Sequence, residues 1–293
     1  METRCGYVAI IGRPNSGKST LFNRLVGQKI SSTSFKPQTT RHRIVGVKTD
    51  SDAQFIFVDT PGIHLGGKRL LNRVLNKNAL NVLHDVHLIF WLIDRGQWTD
   101  EEDFIKRSLE EIECPVILVI NKIDKLVRRD DLLIILQKLT LKYDFAEMIP
   151  VSAMRQDNID DLVKSGKRYL PESEFFYPKE YLTDRDQKFI AAETIREAAF
   201  MFLEKELPYA THVEIEKYAE EDGRVVISAV IWIEKDGQKG ILIGKKGEML
   251  KKIGSRARSA IEKNIESKVH LELWVKIKKD WQDNPKIVGE YEL

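Results

Sequence analysis

Six short runs in the first 170 residues are apolar almost throughout: YVAIIG (7–12), RIVGVKT (43–49), QFIFVDT (54–60), VHLIFWLID (86–94), PVILVINKID (115–124) and EMIPVSA (147–153). Runs without polar alternation suit strands whose two faces are both covered by helices. Between them, near 18–26, 69–83, 100–112, 130–142 and 158–169, apolar residues recur at helical spacing. The alternation predicts a doubly wound α/β domain over residues 1–170, with a mixed, mostly parallel sheet. RIVGVKT and QFIFVDT are joined by the short turn DSDA, which predicts an antiparallel hairpin at one sheet edge.

Residues 171–183, PESEFFYPKEYLT, break this rhythm with two prolines and several aromatics and read as a linker packed on a surface. A different pattern fills 184–280. TDRDQKFIAAETIREAAFMFLEKEL opens with a cap-like Thr/Asp and continues at helical spacing. HVEIEKYAEEDGRVVISAVIWIE alternates like two strands around an EEDG turn. QKGILI, a GKKG loop, a helix over about 247–264 and a strand at 269–278 complete an α-β-β-α-α-β order, and 281–293 form a tail. Neither an internal repeat nor a low-complexity segment is found.

Composition agrees with two soluble domains: 293 residues, 42% hydrophobic and 31% charged. The longest apolar run, LIFWLI at 88–93, is far too short to span a bilayer. The N-terminus enters a strand pattern at once, without a signal-peptide hydrophobic region. Cys5 and Cys114 each adjoin a strand pattern and read as buried thiols of a reducing compartment. The expectation is a cytoplasmic protein. The net charge of +2 conceals an asymmetry: residues 171–234 carry 7 basic and 15 acidic side chains, residues 235–280 carry 13 and 6. The basic block surrounds the GKKG loop, as in a polyanion site confined to one face.

Gly12–Ser19, GRPNSGKS, fits G-x-x-x-x-G-K-[ST] between a strand and a helix. In that context Gly12, Asn15, Ser16 and Gly17 curl backbone N–H groups around a phosphate. Lys18 neutralises β/γ charge, Ser19 offers a hydroxyl to Mg²⁺, and Thr20 follows in the helix. Three further motifs sit at strand ends. Asp59-Thr60-Pro61-Gly62 places Asp59 to hold Mg²⁺ through water and the Gly62 N–H to sense a γ-phosphate. Asn121-Lys122-Ile123-Asp124 offers a carboxylate to the guanine N1–H and 2-amino group, donors that adenine does not present there. Ser152-Ala153-Met154 can bring a backbone N–H to the guanine O6. Four such motifs in this order predict a GTP-binding domain.

The set resembles the translation-factor-related GTPases. The resemblance places the effector threonine within Gln38-Thr39-Thr40-Arg41-His42, at Thr40 rather than Thr39, meeting Mg²⁺ and the γ-phosphate. It assigns catalysis to Lys18, Thr40, Gly62 and Asn15. The position of the water-orienting glutamine is held by Ile63, which forms no hydrogen bond to water. In related GTPases with an apolar residue there, a P-loop asparagine coordinates K⁺; Asn15 holds that position, the alternative being that it braces the turn. His64 lacks an evident orienting partner and is disfavoured as a general base.

Gly244–Gly247, GKKG, lacks P-loop spacing and lies between two helical segments beside a three-stranded pattern. This resembles a type II KH domain, whose GXXG turn clamps about four nucleotides. Ile243, Gly244, Lys245, Lys246, Gly247, Lys251, Lys252 and Arg256 are the expected RNA-binding residues. Met249, Leu250, Ile253, Ala257, Ala260 and Ile261 form the expected inner helix face. The groove would run between Ile241/Ile243, the loop and this helix, and single-stranded RNA fits it better than a duplex. Trp274 and Trp281 are candidates for base stacking, although packing is the favoured role for Trp274.

Over nearly its whole length the chain resembles the Era family of bacterial ribosome-assembly GTPases. The likeness is specific at 37–43 (PQTTRHR), 206–209 (ELPY), 212–216 (HVEIE), 243–247 (IGKKG) and 269–276 (VHLELWVK). It implies GTP hydrolysis with Mg²⁺, binding near the 3′ end of 16S ribosomal RNA and a role in small-subunit maturation. Peripheral association with the inner membrane face is implied by the resemblance alone; a monomer without DNA binding is expected. Residues 28–43 and 61–70 are the expected segments through which nucleotide state reaches the RNA clamp. The competing reading is an RNA chaperone whose GTP-binding domain senses nucleotide with negligible turnover.

Overall fold

The computed structural model describes residues 2–34, 36, 39–65, 69–128 and 131–291. Gln38 of the effector stretch and residues 66–68 of the 61–70 segment lie outside them. The chain divides into two compact units, one of Met1–Ser31, Thr40–Asp184 and Tyr291–Leu293, the other of Ser32–Thr39 and Arg185–Glu290.

In the first unit six strands form one sheet: β1 (Arg4–Ile11), β2 (Ile44–Thr49), β3 (Ala53–Asp59), β4 (Leu88–Asp94), β5 (Val116–Asn121) and β6 (Glu147–Pro150), in the order β2-β3-β1-β4-β5-β6. Every pairing is parallel except β2 with β3, the edge hairpin closed by the 50–53 turn. The continuous apolar runs are buried because helices cover the sheet. These are α1 (Lys18–Val26), α2 (Leu70–Asn81), α3 (Asp100–Ser108), α4 (Asp131–Thr140) and α5 (Ile159–Lys167). The third helix ends at Ser108, earlier than the pattern to 112 suggests; Leu109, Glu110 and Ile112 continue only in short turn hydrogen bonds. Strand order reverses around β1, so the loops after β1, β3, β4 and β5 converge at one edge.

The 171–183 segment is welded to this unit. Gln54, fully buried, accepts the Phe176 and Tyr177 N–H groups at Oε1 and donates to Tyr177 O, while Phe175, Tyr177 and Tyr181 pack against Cys5, Val45, Val47 and Ile56.

The second unit contains α6 (Gln187–Phe202), β7 (His212–Glu221), β8 (Arg224–Ile233), α7 (Asp236–Ile243), α8 (Glu248–Ile265) and β9 (Val269–Ile277). Its sheet runs β7-β8-β9, antiparallel then parallel. Ile195 and Ala199 of α6, Leu242 of α7 and Ile253, Ala257 and Ile261 of α8 close the core over the sheet. Residues 32–39 belong to this unit: Ser32 Oγ donates to Glu193 O at 2.9 Å, the Thr33 N–H donates to Glu197 Oε2 at 3.2 Å, and Arg196 donates to Thr39 O.

Candidate functional site

The loop after β1 is shaped by backbone that only small residues tolerate. Gly12 has φ 145°, and a Cβ there would stand 2.4 Å from Leu92 O. Asn15 is left-handed at φ 64°, a region that asparagine enters more readily than most residues. The curl turns carbonyls inward, and the buried Lys18 ammonium donates to Gly12 O (2.9 Å) and Arg13 O (3.0 Å). Burial pulls the Lys18 pKa down to about 8, against the opposing pull of Asp59 and Glu102.

Asp59 ends β3 inside the same cluster. Burial pushes its carboxyl up to about 6, although the Ser31 hydroxyl and Lys18 act the other way. Ser31 Oγ donates to Asp59 Oδ2 at 2.7 Å, whereas Oδ1 is buried without a hydrogen-bond partner among the described residues. Ser19 Oγ and Thr40 Oγ1 lie 2.6 Å apart. Thr39 directs its hydroxyl to Lys36 O instead (2.8 Å). An unpartnered buried carboxylate oxygen and two hydroxyls are the all-oxygen donor set that suits Mg²⁺, so these residues fit that ion.

Thr60 Oγ1 donates to Ile10 O at 2.9 Å. Pro61 is buried, and Gly62 packs on Pro14, where a Cβ would come within 2.9 Å of the backbone. Ile63 is fully buried in the core with Ala9, Val58 and Ile89, and its N–H donates to Gly12 O at 3.3 Å. That explains why an apolar residue stands here: the side chain faces the core, not a water. His64 does have an orienting partner, contrary to the sequence reading. Asn76 Nδ2 donates to His64 O at 2.9 Å, and Asn76 Oδ1 sits 2.8 Å from His64 Nδ1.

The loops after β5 and β6 are joined through Asn121, which is 2% exposed. Its Nδ2 donates to Ser16 O (2.8 Å), and its Oδ1 accepts the Lys122 (2.8 Å) and Ala153 (3.0 Å) N–H groups. The Ala153 N–H, one of the amides of Ser152-Ala153-Met154, is thus engaged by Asn121 at the end of β5. Lys122 Nζ reaches Asn15 O (2.5 Å) and Asp94 Oδ2 (2.9 Å). Ser152 Oγ donates to Asp124 Oδ1 at 2.6 Å, fixing the carboxylate that is expected to read the base. Ser31, Asp94 and Gln97 also take part around this site and lie in no motif; Arg13 takes part as well, from a position that the glycine-loop motif leaves open.

In the second unit Gly244 (φ 74°), Lys246 (φ 52°) and Gly247 (φ 80°) make the turn, and Lys245 and Lys246 are exposed at its tip. A Cβ on Gly244 would lie 2.8 Å from Met249 Cβ. Ile243 and Gly244 are partly buried; Lys251, Lys252 and Arg256 are exposed along α8, and Ile241 is 61% exposed beside them. Of the expected inner face, Ile253, Ala257 and Ile261 are buried in the core, Met249 and Leu250 pack against it, and Ala260 is only partly buried. Two expectations fail. Trp274 is 57% exposed, because it shares its strand face with His270, Glu272 and Lys276 while Val269 and Val275 face the core. Trp281 is fully buried, with its Nε1–H on Ala210 O at 2.9 Å, so it is closed to base stacking.

A family model described as 50S ribosome-binding GTPase matches residues 7–122, and a KH-domain model matches residues 206–282. GTPase Era of Marinobacter nauticus is 48% identical over 283 residues, spanning 97% of this chain and 93% of that protein. GTPase Era of Coxiella burnetii is 48% identical over 288 residues, 98% of this chain and 97% of its own. The chain belongs to the Era GTPase family. An Aquifex aeolicus Era variant bound to GDP and AlF₄⁻ matches with a TM-score of 0.95 at 38% identity, covering 99% of both chains. Era in complex with MgGDPNP and nucleotides 1506–1542 of 16S ribosomal RNA matches equally, at 0.95 and 39% identity, covering 99% of this chain and 98% of that one. The Era-family chain therefore pairs a P-loop GTPase domain with a KH domain. Among the described residues, no helix is long and apolar enough to cross a membrane.

Proposed function

We propose that this Era-family protein is a GTP-hydrolysing switch that binds the 3′-end region of 16S rRNA through its KH domain and assists small-subunit assembly. The observation that carries the nucleotide half is the convergence of the motif loops on one edge of the sheet, three of which, those after β1, β5 and β6, are tied together by Asn121. Gly12 to Thr20 wrap the phosphates, Lys18 and the Gly62 N–H meet the γ-phosphate, and Asp124 reads the guanine, with Lys122, Ser152 and Ala153 around it. Ser19, Thr40 and, through water, Asp59 would hold Mg²⁺. Bound there, the ion neutralises charge on the β- and γ-phosphates. Thr60 and Pro61 set the course of the chain from Asp59 to Gly62.

Water positioning has to come from somewhere other than Ile63. Asn15 is exposed and left-handed, and its backbone carbonyl accepts from Lys122 Nζ. K⁺ held by Asn15 would supply positive charge between the phosphates, the alternative being that Asn15 only braces the turn. The RNA half rests on the GKKG turn and the relative complexed with 16S rRNA nucleotides. The GTP-binding domain is taken as 1–170, with 171–183 packed against it, the KH domain as 184–280 and the tail as 281–293, and the protein acts as a cytoplasmic monomer, with membrane association resting on resemblance alone.

A GTP hydrolysis time course in K⁺ and in Na⁺, with and without a short single-stranded RNA copying the rRNA 3′ end, tests this. Stimulation by RNA supports the switch, and a further gain in K⁺ assigns Asn15. Tight RNA binding with flat hydrolysis overturns the switch in favour of an RNA chaperone that merely senses nucleotide.

A further inference from the structure

The segment from the end of β4 to the first turn of α3 carries none of the nucleotide motifs, yet two carboxylates at its ends, Asp94 and Glu102, grip the glycine loop. Arg13 is the hinge of the first grip. Its carbonyl accepts from the Lys18 ammonium (3.0 Å) and from the Ser16 N–H (3.3 Å). Its side chain runs the opposite way: Nη2 donates to Gln97 Oε1 at 3.1 Å, and Nε stands 3.4 Å from Glu102 Oε1. That last distance is an ion pair rather than a hydrogen bond.

Glu102 is fully buried. It is the third residue of α3, and its Oε2 completes a capping box with Thr99, accepting the Thr99 N–H at 3.2 Å and its hydroxyl at 2.5 Å. Capping alone does not account for it. A capping box is satisfied by glutamine, and burying a charge is costly unless an opposite charge faces it. The charge is accounted for by Arg13, the cation whose side chain the structure pairs with Glu102 Oε1. The second grip begins upstream, at the end of β4. Asp94 Oδ2 holds Lys122 Nζ at 2.9 Å, and the same ammonium donates to Asn15 O at 2.5 Å. The turn between the two carboxylates is tied down by Gln97 N–H to Asp94 O (2.9 Å) and Arg95 N–H to Asn121 O (2.9 Å).

We propose that residues 94–102 act as a bracket on the glycine loop, in which Glu102 acting through Arg13 and Asp94 acting through Lys122 are positioning residues for GTP binding and hydrolysis. The loop is gripped at Arg13 and Asn15, the two residues flanking Pro14, on which Gly62 packs. Its inward carbonyls and N–H groups are therefore set before nucleotide arrives, and the ordering cost at binding falls. The inference rests on the GTPase reading of the site.

The experiment compares the full-length parent with Glu102→Gln, Arg13→Gln, their double variant, Arg13→Lys, Asp94→Asn and Glu102→Gln combined with Asp94→Asn. It measures release of a fluorescent GDP analogue, single-turnover GTP hydrolysis and the melting temperature without nucleotide. Glu102→Gln keeps an oxygen for the Thr99 cap, so its melting temperature stays close to the parent's. Its GDP release accelerates about tenfold, as expected for lost pre-organisation. Arg13→Gln matches it, and the double variant is no worse than either single one, the signature of two residues in one interaction. Arg13→Lys restores part of the loss. Asp94→Asn accelerates release through the other grip, multiplying with Glu102→Gln. Parent-like release and hydrolysis in Glu102→Gln, or losses that multiply between Arg13 and Glu102, overturn the proposal. A melting temperature lowered equally with and without GDP, at unchanged release, reduces Glu102 to a helix cap and overturns it too. Failure of the GTPase reading itself shows separately, as a parent protein that neither binds GDP nor hydrolyses GTP.

Discussion

Asn121 and Ser16 stand 105 residues apart in sequence, yet the Asn121 amide donates to the Ser16 carbonyl at 2.8 Å inside the protein. The same side chain accepts the Ala153 N–H, so removing it strands two buried backbone groups. Each buried group left without a partner costs about 1–3 kcal/mol. Asn121→Ala should therefore lose roughly 2–5 kcal/mol of stability and about a hundredfold in GDP affinity, since misplacing a loop by an ångström has effects of that order. Thermal unfolding and a fluorescent-GDP titration read both. Gly17→Ala should behave similarly, because its Cβ would stand 2.2 Å from Asn121 Nδ2 at φ 102°. Gly27→Ala, at φ 84° with nothing within 4 Å, is the control and should cost only about 1 kcal/mol. Parent-like GDP affinity in Asn121→Ala would remove the side chain from the role given to it.

Asp124, proposed to read the base, accepts the Ser152 hydroxyl at Oδ1 (2.6 Å). A carboxylate suits the two donors of guanine, whereas an amide in its place presents a donor to one of them. Asp124→Asn should weaken GTP binding by about a thousandfold and shift preference to xanthine nucleotides, whose C2 carbonyl accepts from the amide. Competition of GTP and XTP against a labelled nucleotide reports the switch. Unchanged preference would mean that another residue reads the base.

Much of this site was legible because its chemistry is local. A strand, a glycine turn and a helix place GRPNSGKS by themselves, and DTPG and NKID each end a strand whose burial forces its C-terminal residue to the same sheet edge. The hairpin of β2 and β3 followed from one short turn, and the α-β-β-α-α-β order from alternation. What escaped is non-local. Ser31 touches Asp59 across 28 residues, Glu102 meets Arg13 across 89, and His64 meets Asn76 only because α2 folds back on its own loop. Trp274 escaped for a different reason. Period-two alternation puts it with His270, Glu272 and Lys276 on the exposed face, whereas the packing reading set it against the core. Trp281 lies in no periodic segment, so its burial had no sequence signature at all.

The buried carboxyl of Asp59 makes stability depend on pH. Its folded pKa is raised from 3.8 to about 6, so the folded protein holds this proton more tightly than the unfolded chain. Without nucleotide, the associated stability is present at low pH and is lost as pH rises from about 4 through about 6. Asp59→Asn removes that dependence. Its stability relative to the parent should grow from near zero at pH 4 to a plateau above about pH 6 of roughly 1–3 kcal/mol, trimmed by the counter-charge that Lys18 loses. GTP hydrolysis should be lost in the same variant. Denaturant unfolding of both proteins across this range measures the difference, and a gap that stays constant with pH would contradict the assignment.

The GKKG turn separates charge from shape. Lys245 and Lys246 sit exposed at its tip, so replacing both with glutamine removes two phosphate contacts while leaving the glycines in place. For a single strand each neutralised phosphate contributes about 0.7 to the slope of log affinity against log salt, so the slope should fall by about 1.4. Gly244→Ala tests shape instead. Its Cβ would collide with Met249 at 2.8 Å, whereas a Cβ on Gly247 meets nothing within 4 Å. Gly244→Ala should therefore weaken RNA binding at every salt concentration without changing the slope, and Gly247→Ala should do so much less, carrying only the strain of φ 80°. Binding of a short single-stranded RNA copying the 16S 3′ end, titrated at several salt concentrations, distinguishes the two effects. Equal losses from the two glycine variants would mean that left-handed backbone strain, not the Met249 contact, sets the turn.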